Sequence, residues 1–449
     1  MLKHHLISII RGFLRSKMFT LIHVSGLTLG LTAVLLILQY TTYEKSFDQA
    51  GEMPQPVYRL WMEKYKNGEL QTSEPSTYPA LGEALRRDFP EIVHTTRSYI
   101  YKGSLLSYEN QAGDKTLLPT TSVCVAEPSF LDLFAIRVME GNPETALKTP
   151  FSLLISESLA KQLFPHESAL GKVIVEDNDE PMQITGVFAD RAKNTEIDFD
   201  LIKSYSSLDA HFQRLTGRET DFSHTSWDWP RIKIFLSLRD VQAEENLNSK
   251  LENYLSKQKP RSENEGITEI LHLQKIEDIH MNSPLGKPFG TKTEKARQTG
   301  FMELIVWVIL LIAWINFVNL STVKALEKAK DAGIKKILGA SRRQLMIQFF
   351  LESLLVNMMA LFVALTIFQT ILPLFNQWLG IEGNYVFLNT GYWLGGMILV
   401  VVSGALAAGY YPAFLLAASK AQDALTYHGR TARSRFPLRK GLIVAQFTI

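Results

Sequence analysis

Long uncharged runs at both ends of the chain, separated by a polar block of about 250 residues, restrict its fold more than any other feature. The runs lie near Phe19–Tyr40, Phe301–Leu320, Met346–Leu372 and Tyr392–Ala417, each close to the ~20 apolar residues that cross a bilayer core. Four crossings return a chain to the side on which it began. Lys3, Arg11, Arg15 and Lys17 precede the first run, and Lys324, Lys328, Lys330, Lys335, Lys336, Arg342 and Arg343 follow the second, whereas 373–391 contains no lysine or arginine. Positive-inside bias therefore places both termini and the basic loop in the cytosol, and residues of about 43–298 outside. Composition alone hides this, because 46% hydrophobic and 20% charged residues with a net charge of +2 suit either solvent. The first run is read as an anchor, since LQYTTYEKSFD offers no small-x-small cleavage site.

The stretch Asn316–Ser353 joins two of these runs. Lys324, Lys328, Asp331 and Lys335 share one helical face, and Leu326, Ala329, Gly333 and Ile337 another. Gly339 then reads as a helix stop, and Ser341 with Gln344 as a capping box opening the next helix. Within the spans, Gly26 and Gly30 form a GxxxG pattern, and Gly404 and Gly409 belong to a second small-residue stripe, both suited to close helix packing. Asn316 and Asn319 require hydrogen-bond partners there, and Glu352, about two turns into the third span, requires a basic residue, water or the interface. Arg343 is too far along the helix to serve as an i, i+4 partner.

The words INFVNLST, EKAKDAGIKKILGASRRQL and QFFLES resemble, in order and spacing, the cytoplasmic loop of the FtsX-like permease family of ABC transporters, to which MacB-type proteins belong. HVSGLTLGL and YEKSFD resemble that family's first span and its exit, and GYYPAF its fourth-span ending. Asp331 stands where the family more usually has glutamate, and Lys335 where it has arginine. The resemblance implies a coupling helix within 321–345 that docks an ATPase through Lys328, Lys330, Asp331, Gly333, Ile334, Lys335, Lys336, Leu338, Gly339 and Ala340.

Residues 1–18 read as an amphipathic helix on the inner leaflet, 19–42 as the first span and 43–298 as the outer domain. In that domain VYRLWME reads as a strand, Tyr78–Phe89 as a helix, Ile92–Tyr101 and Leu105–Tyr108 as strands, and Val241–Lys257 as a helix. SLLISESLAKQLFP, ALGKVIVE and MQITGVFAD resemble, in order, the MacB-type periplasmic core. The expected fold class is thus a membrane protein with a four-helix transmembrane domain and a large α+β domain, ferredoxin-like with a split βαβ pattern, between the first and second spans. The resemblance implies an FtsX-like membrane part over 299–417, and 418–449 reads as a basic linker followed either by the start of a second membrane unit or by a short interfacial tail.

No metal site is expected. Asp177, Asp179 and Glu180 lack calcium-loop spacing, His280 with Met281 makes no complete ligand set, and Ser156 reads as a helix N-cap. Cys124 reads as a small buried hydrophobe. No phosphate-binding G-x-x-x-x-G-K-[ST] occurs, so ATP and Mg²⁺ are assigned to a partner ATPase and no cofactor to this chain. The expected function is the permease subunit of an ABC transporter in the bacterial cytoplasmic membrane, driving movement of the outer domain for export or extraction of substrate. The alternative is an FtsX-like regulator that relays ATPase state to an extracytoplasmic hydrolase or scaffold. Expected partners are the ATPase, the bilayer, a second permease copy or a second half of a longer chain, and an extracytoplasmic adaptor, with no nucleic acid.

Overall fold

The structure, a computed structural model, describes residues 17–48, 55–109, 115–177, 181–192, 194–240, 242–258, 266–327, 329–381 and 392–418. The chain divides into two compact units, Met1–Glu44 with Gln298–Ile449, and Lys45–Arg297. Residues 1–16 and 419–449, which carry the expected amphipathic lead-in and the second membrane unit, lie outside the described residues.

Among the described residues, the unit Lys45–Arg297 is built on a mixed sheet of eleven strands. After helix α1 (Lys17–Lys45) come β1 (Val57–Lys66), β2 (Glu69–Glu74), α2 (Leu81–Asp88), β3 (Ile92–Glu109), β4 (Lys115–Ala126), α3 (Ser129–Leu133), β5 (Val138–Gly141), β6 (Ser152–Ser156) and α4 (Glu157–Leu163). The chain continues through β7 (Val173–Glu176), β8 (Pro181–Phe188), β9 (Leu201–Ser204), α5 (Ser207–Thr216), α6 (Phe222–Thr225), β10 (Lys233–Leu238), α7 (Ala243–Leu251), α8 (Tyr254–Gln258) and β11 (Ile267–Lys275). The sheet order is β11-β1-β10-β3-β4-β9-β6-β8-β5, with β2 on β1 and β7 bridging β3 and β8.

The first four of these strands are mutually antiparallel, with α2 connecting β1 and β2 to β3, and α7 and α8 connecting β10 to β11. Their apolar face packs Leu81 and Leu85 of α2 and Leu247 and Leu251 of α7 onto Tyr58, Leu60, Ile234 and Leu236. Burying such side chains contributes roughly 1.5–3 kcal/mol each. The sequence suggests two strands across 92–108. They are one, because β4 pairs with β3 from Ser98 to Glu109 and carries it through Gly103, whose φ of 76° leaves room for the turn in direction. The helix expected over Val241–Lys257 is two short ones. Ser156 caps α4, accepting a 3.3 Å hydrogen bond from the Leu159 amide, and Cys124 is buried, which pushes its thiol up to about 12.

Glu176 at the end of β7 accepts hydrogen bonds from Lys203 Nζ (2.7 Å) and Tyr101 Oη (2.7 Å). Burial alone would raise its pKa; the charge and hydrogen bond of Lys203, then the Tyr101 hydroxyl, outweigh this and hold it below the usual carboxylate range. A depressed carboxylate contributes stability that is present above its unfolded pKa near ~4.3 and is lost as pH falls through the folded value. Glu176→Gln should therefore lower the melting temperature at neutral pH and flatten its decline in acid. Melting curves of wild type and variant that stay parallel from neutral pH into acid would refute this.

The other unit is helical. Here α9 (Glu294–Glu327), α10 (Ala329–Ile337), α11 (Arg342–Leu379) and α12 (Tyr392–Ala418) follow in order. By length and composition, α1, α9 and α11 are long and apolar enough to cross a membrane, and α12 holds a shorter apolar run, Gly395–Ala407. Leu27, Leu31 and Leu35 of α1 pack with Val306 and Leu310 of α9 against Ala360, Ala364, Phe368 and Leu372 of α11, a row at i, i+4 spacing. Polar groups in this packing meet one another: Gln39 Nε2 donates to Asn376 Oδ1 (3.2 Å), and Thr28 Oγ1 to the Ala360 carbonyl (3.3 Å). Helix α11 runs through Pro373 and stops at Gly380, whose φ is 67°.

Candidate functional site

The stretch from α9 to α11 carries helix α10 and a stop after it. Helix α10 ends where Gly339, at φ 95°, turns the chain and the Ala340 amide reaches back to the Lys335 carbonyl (2.9 Å). Ser341 then opens α11 with a reciprocal capping box: the Ser341 amide donates to Gln344 Oε1 (2.9 Å) and the Gln344 amide to Ser341 Oγ (3.3 Å).

Ala332 and Gly333 turn inward, while Ile334, Ile337 and Leu338 lie on the surface, with Ile337 61% and Leu338 81% exposed. Ile337 is therefore not buried with Gly333, although the periodicity groups them. Asp331 and Lys335 are exposed, and Lys335 Nζ donates to Gln348 Oε1 of α11 (3.0 Å). Lys328 and the side chains of Lys330 and Lys336 lie outside the described residues. The result is an apolar ridge at i, i+3, i+4 that begins in α10 and ends on Leu338, one residue past it.

One turn before this helix, Lys324 Nζ sits 2.9 Å from Glu352 Oε1 of α11 and 5.5 Å from the centre of the Phe19 ring. Glu352 thus meets a basic residue from another helix, which spacing along its own helix could not reveal. His23 lies between Phe19 (4.4 Å) and Phe317 (5.4 Å). A Cβ on Gly26 would come 3.2 Å from Asn316 Nδ2, and one on Gly30 3.1 Å from Ala313 Cβ, so both glycines stand where α1 and α9 approach closely. Asn319 is half-buried. On α12, a Cβ on Gly404 would come 2.9 Å from Trp314 Nε1 and 3.0 Å from Asn357 Oδ1, and one on Gly409 3.0 Å from Phe350 Cα. Trp307, seven residues before Trp314, is 67% exposed.

In the sheet unit, Asp209, Asp221 and His224 converge closely enough to hold a cation. His224 Nδ1, however, lies 2.7 Å from Arg97 Nη2, which can only donate, and Asp209 already accepts from the amide and hydroxyl of Ser223. A cleft of about 250 Å³ beside Tyr99, Phe151 and His211 has the Glu176–Lys203 pair in its wall, each charge already meeting the other. The Glu176–Lys203 pair is thus already satisfied, and part of the ligand capacity of the Asp209–Asp221–His224 group is taken by Arg97 and Ser223. Asp177 has φ 49° and accepts from the Leu105 amide (2.7 Å); Asp179 and Glu180 lie outside the described residues.

Residues 20–254 match the family described as MacB-like periplasmic core domain, and residues 303–420 the family described as FtsX-like permease C-terminal. The chain is 27% identical over 205 residues to the uncharacterized ABC transporter permease YknZ of Bacillus subtilis, covering 46% of this chain and 45% of that one. It is 24% identical over 261 residues to the macrolide export ATP-binding/permease protein MacB of Mannheimia succiniciproducens, covering 57% and 35%. It is 23% identical over 370 residues to the uncharacterized permease YvrN of Bacillus subtilis, covering 80% and 84%. The chain spans less than half the length of YknZ and of this MacB.

Proposed function

The chain belongs to the ABC transporter permease family that joins a MacB-like periplasmic core domain to an FtsX-like membrane domain, and on that premise we propose that it converts ATP-driven closure of a partner ATPase into movement of its outer domain. ATP and Mg²⁺ belong to the partner. Helix α10 is the docking element, and the observation that carries this reading is the ridge Ile334, Ile337, Leu338 left exposed at its C-terminal end, ahead of the turn into α11. Movement follows only if the ATPase grips this helix with different affinity in its two nucleotide states, since equal binding shifts no equilibrium.

The proposal includes α12 as a fourth crossing, which puts both ends of the unit in the cytosol beside the basic loop, in a bacterial cytoplasmic membrane. It also includes a ferredoxin-like core, supported by the order β11-β1-β10-β3 and by helices at both βα junctions. Output at the outer domain serves export or extraction of a substrate through an extracytoplasmic partner.

Co-purification of the tagged chain with the ATPase encoded beside it tests the docking helix. Ile337→Asp with Leu338→Asp should reduce retention at least ~10-fold, because each buried side chain of this size is worth more than the ~1.4 kcal/mol that a tenfold change requires. Gly333→Pro with Lys335→Glu should do the same by breaking the helix. Retention equal to wild type in membrane-inserted variants would remove α10 from the interface.

A further inference from the structure

The two chain segments that connect the sheet unit to α1 and α9 are fastened to one loop. Ser46–Asp48 directly follow α1, and residues 279–293 directly precede α9. Between β8 and β9, the loop Asn194–Ile197 holds both. Asn194 Nδ2 donates to the carbonyl (2.9 Å) and hydroxyl (3.0 Å) of Ser46, and the Asp48 amide donates to the Asn194 carbonyl (3.0 Å). The Asp48 carboxylate accepts from Thr195 Oγ1 and from the Glu196 amide (3.0 Å). Glu196 Oε1 in turn meets His280 Nδ1 at 2.6 Å, and the His280 ring stacks on Phe47 at 3.9 Å and 12°.

Three hydrogen bonds through Thr293 tie His280 and Met281 to the start of α9. Its carbonyl accepts from Thr293 Oγ1 (2.9 Å), the Thr293 amide donates to Met281, and Thr293 Oγ1 accepts from the Ala296 amide (3.1 Å), capping the helix. On the other side, Arg191 donates to the Ile197 carbonyl (2.5 Å) and lays its guanidinium over Phe134 and Phe199 in the core beneath β4 and β6. Asp48 is held at φ 51° and Ser283 at φ 64°, left-handed conformations that persist where surrounding contacts fix them.

We propose that the loop Asn194–Ile197, gripping Asp48 and Phe47 on one connector and His280 on the other, is the joint through which helix displacement enters the β4–β9 part of the outer domain. Glu196 and His280 are its positioning residues. This rests on the coupling function proposed above. Neither connector lies in a strand of the sheet, and the loop gives both the same attachment to the Phe134–Phe199 core. A relative shift of α1 and α9 is thereby presented to that core as one displacement.

The test uses the full chain with its ATPase in lipid nanodiscs, spin-labelled at Leu170 and Glu252, both exposed. Distances are measured without nucleotide and with a non-hydrolysable ATP analogue and Mg²⁺. Wild type should show a nucleotide-dependent distance change. Glu196→Ala and His280→Ala should keep the resting distance and lose more than half of that change. Glu196 is 43% exposed at its side chain, so its truncation leaves folding intact even if His280→Ala does not. Changes equal to wild type in Glu196→Ala would overturn the joint and leave the coupling reading standing. No nucleotide-dependent change in wild type would overturn both. A merely structural role would shift the resting distance, which an unchanged resting distance distinguishes.

Discussion

Glu352→Leu should destabilise the helical unit by about 3 kcal/mol, whereas Glu352→Leu combined with Lys324→Met should recover most of that loss. Lys324 and Glu352 face each other at 2.9 Å with little solvent access, on helices that are predominantly apolar. Removing one member takes away the opposite charge and leaves the cost of holding the other in a poorly solvated place. Removing both trades an ion pair for apolar packing, which often comes near to break-even. The pair also fastens α9 to α11 one turn before α10, the helix proposed to dock the ATPase, so on that proposal the double variant should loosen coupling even where stability returns. Thermal unfolding in detergent of the two single variants and the double variant makes the comparison. Losses in the singles that simply add in the double would show that the two charges do not act as a pair.

Gly404→Leu is expected to be at least as damaging. Three helices meet at this position, and a Cβ alone would press on Trp314 of α9 and Asn357 of α11 at about 3 Å. Overpacking of a tight site costs about 1–3 kcal/mol, and a leucine adds three further carbons beyond that Cβ. Helix α12 cannot ease away locally, because Gly409 brings it equally close to the Phe350 backbone one turn and a half further on. Gly404→Ala should fall between wild type and leucine. Trp314→Leu should restore part of the stability of Gly404→Ala by opening space at the contact. An alanine variant that melts with wild type would mean that α12 has more freedom here than its contacts indicate.

The parts of the molecule legible in the sequence are those fixed by neighbours along the chain. The stop at Gly339 and the Ser341–Gln344 box depend on residues within four positions, and both are found where spacing puts them. Periodicity also groups residues by face. It does not reveal what the face meets, which is why Gly333 and Ile337 share a predicted stripe while one turns inward and the other outward. The partner of Glu352 escaped for the same reason: Lys324 is a neighbour only once α9 and α11 pack side by side. The sequence pattern divides β3 at Lys102–Ser104, whereas the pairing that holds it whole comes from β4. The attachment of His280 to Glu196 links positions that no local pattern relates.

Strands β3 and β10 lie side by side in the sheet, yet residues 110–232 run between them. An excursion that leaves and rejoins a scaffold at adjacent strands can be exchanged during evolution like a cartridge. Relatives could then acquire different modules between these strands while keeping the scaffold that carries them. The exchange has one condition, visible in the pairing of β3 with β4: a replacement must bring its own strand to cover the far edge of β3, or leave a long open edge that recruits other chains.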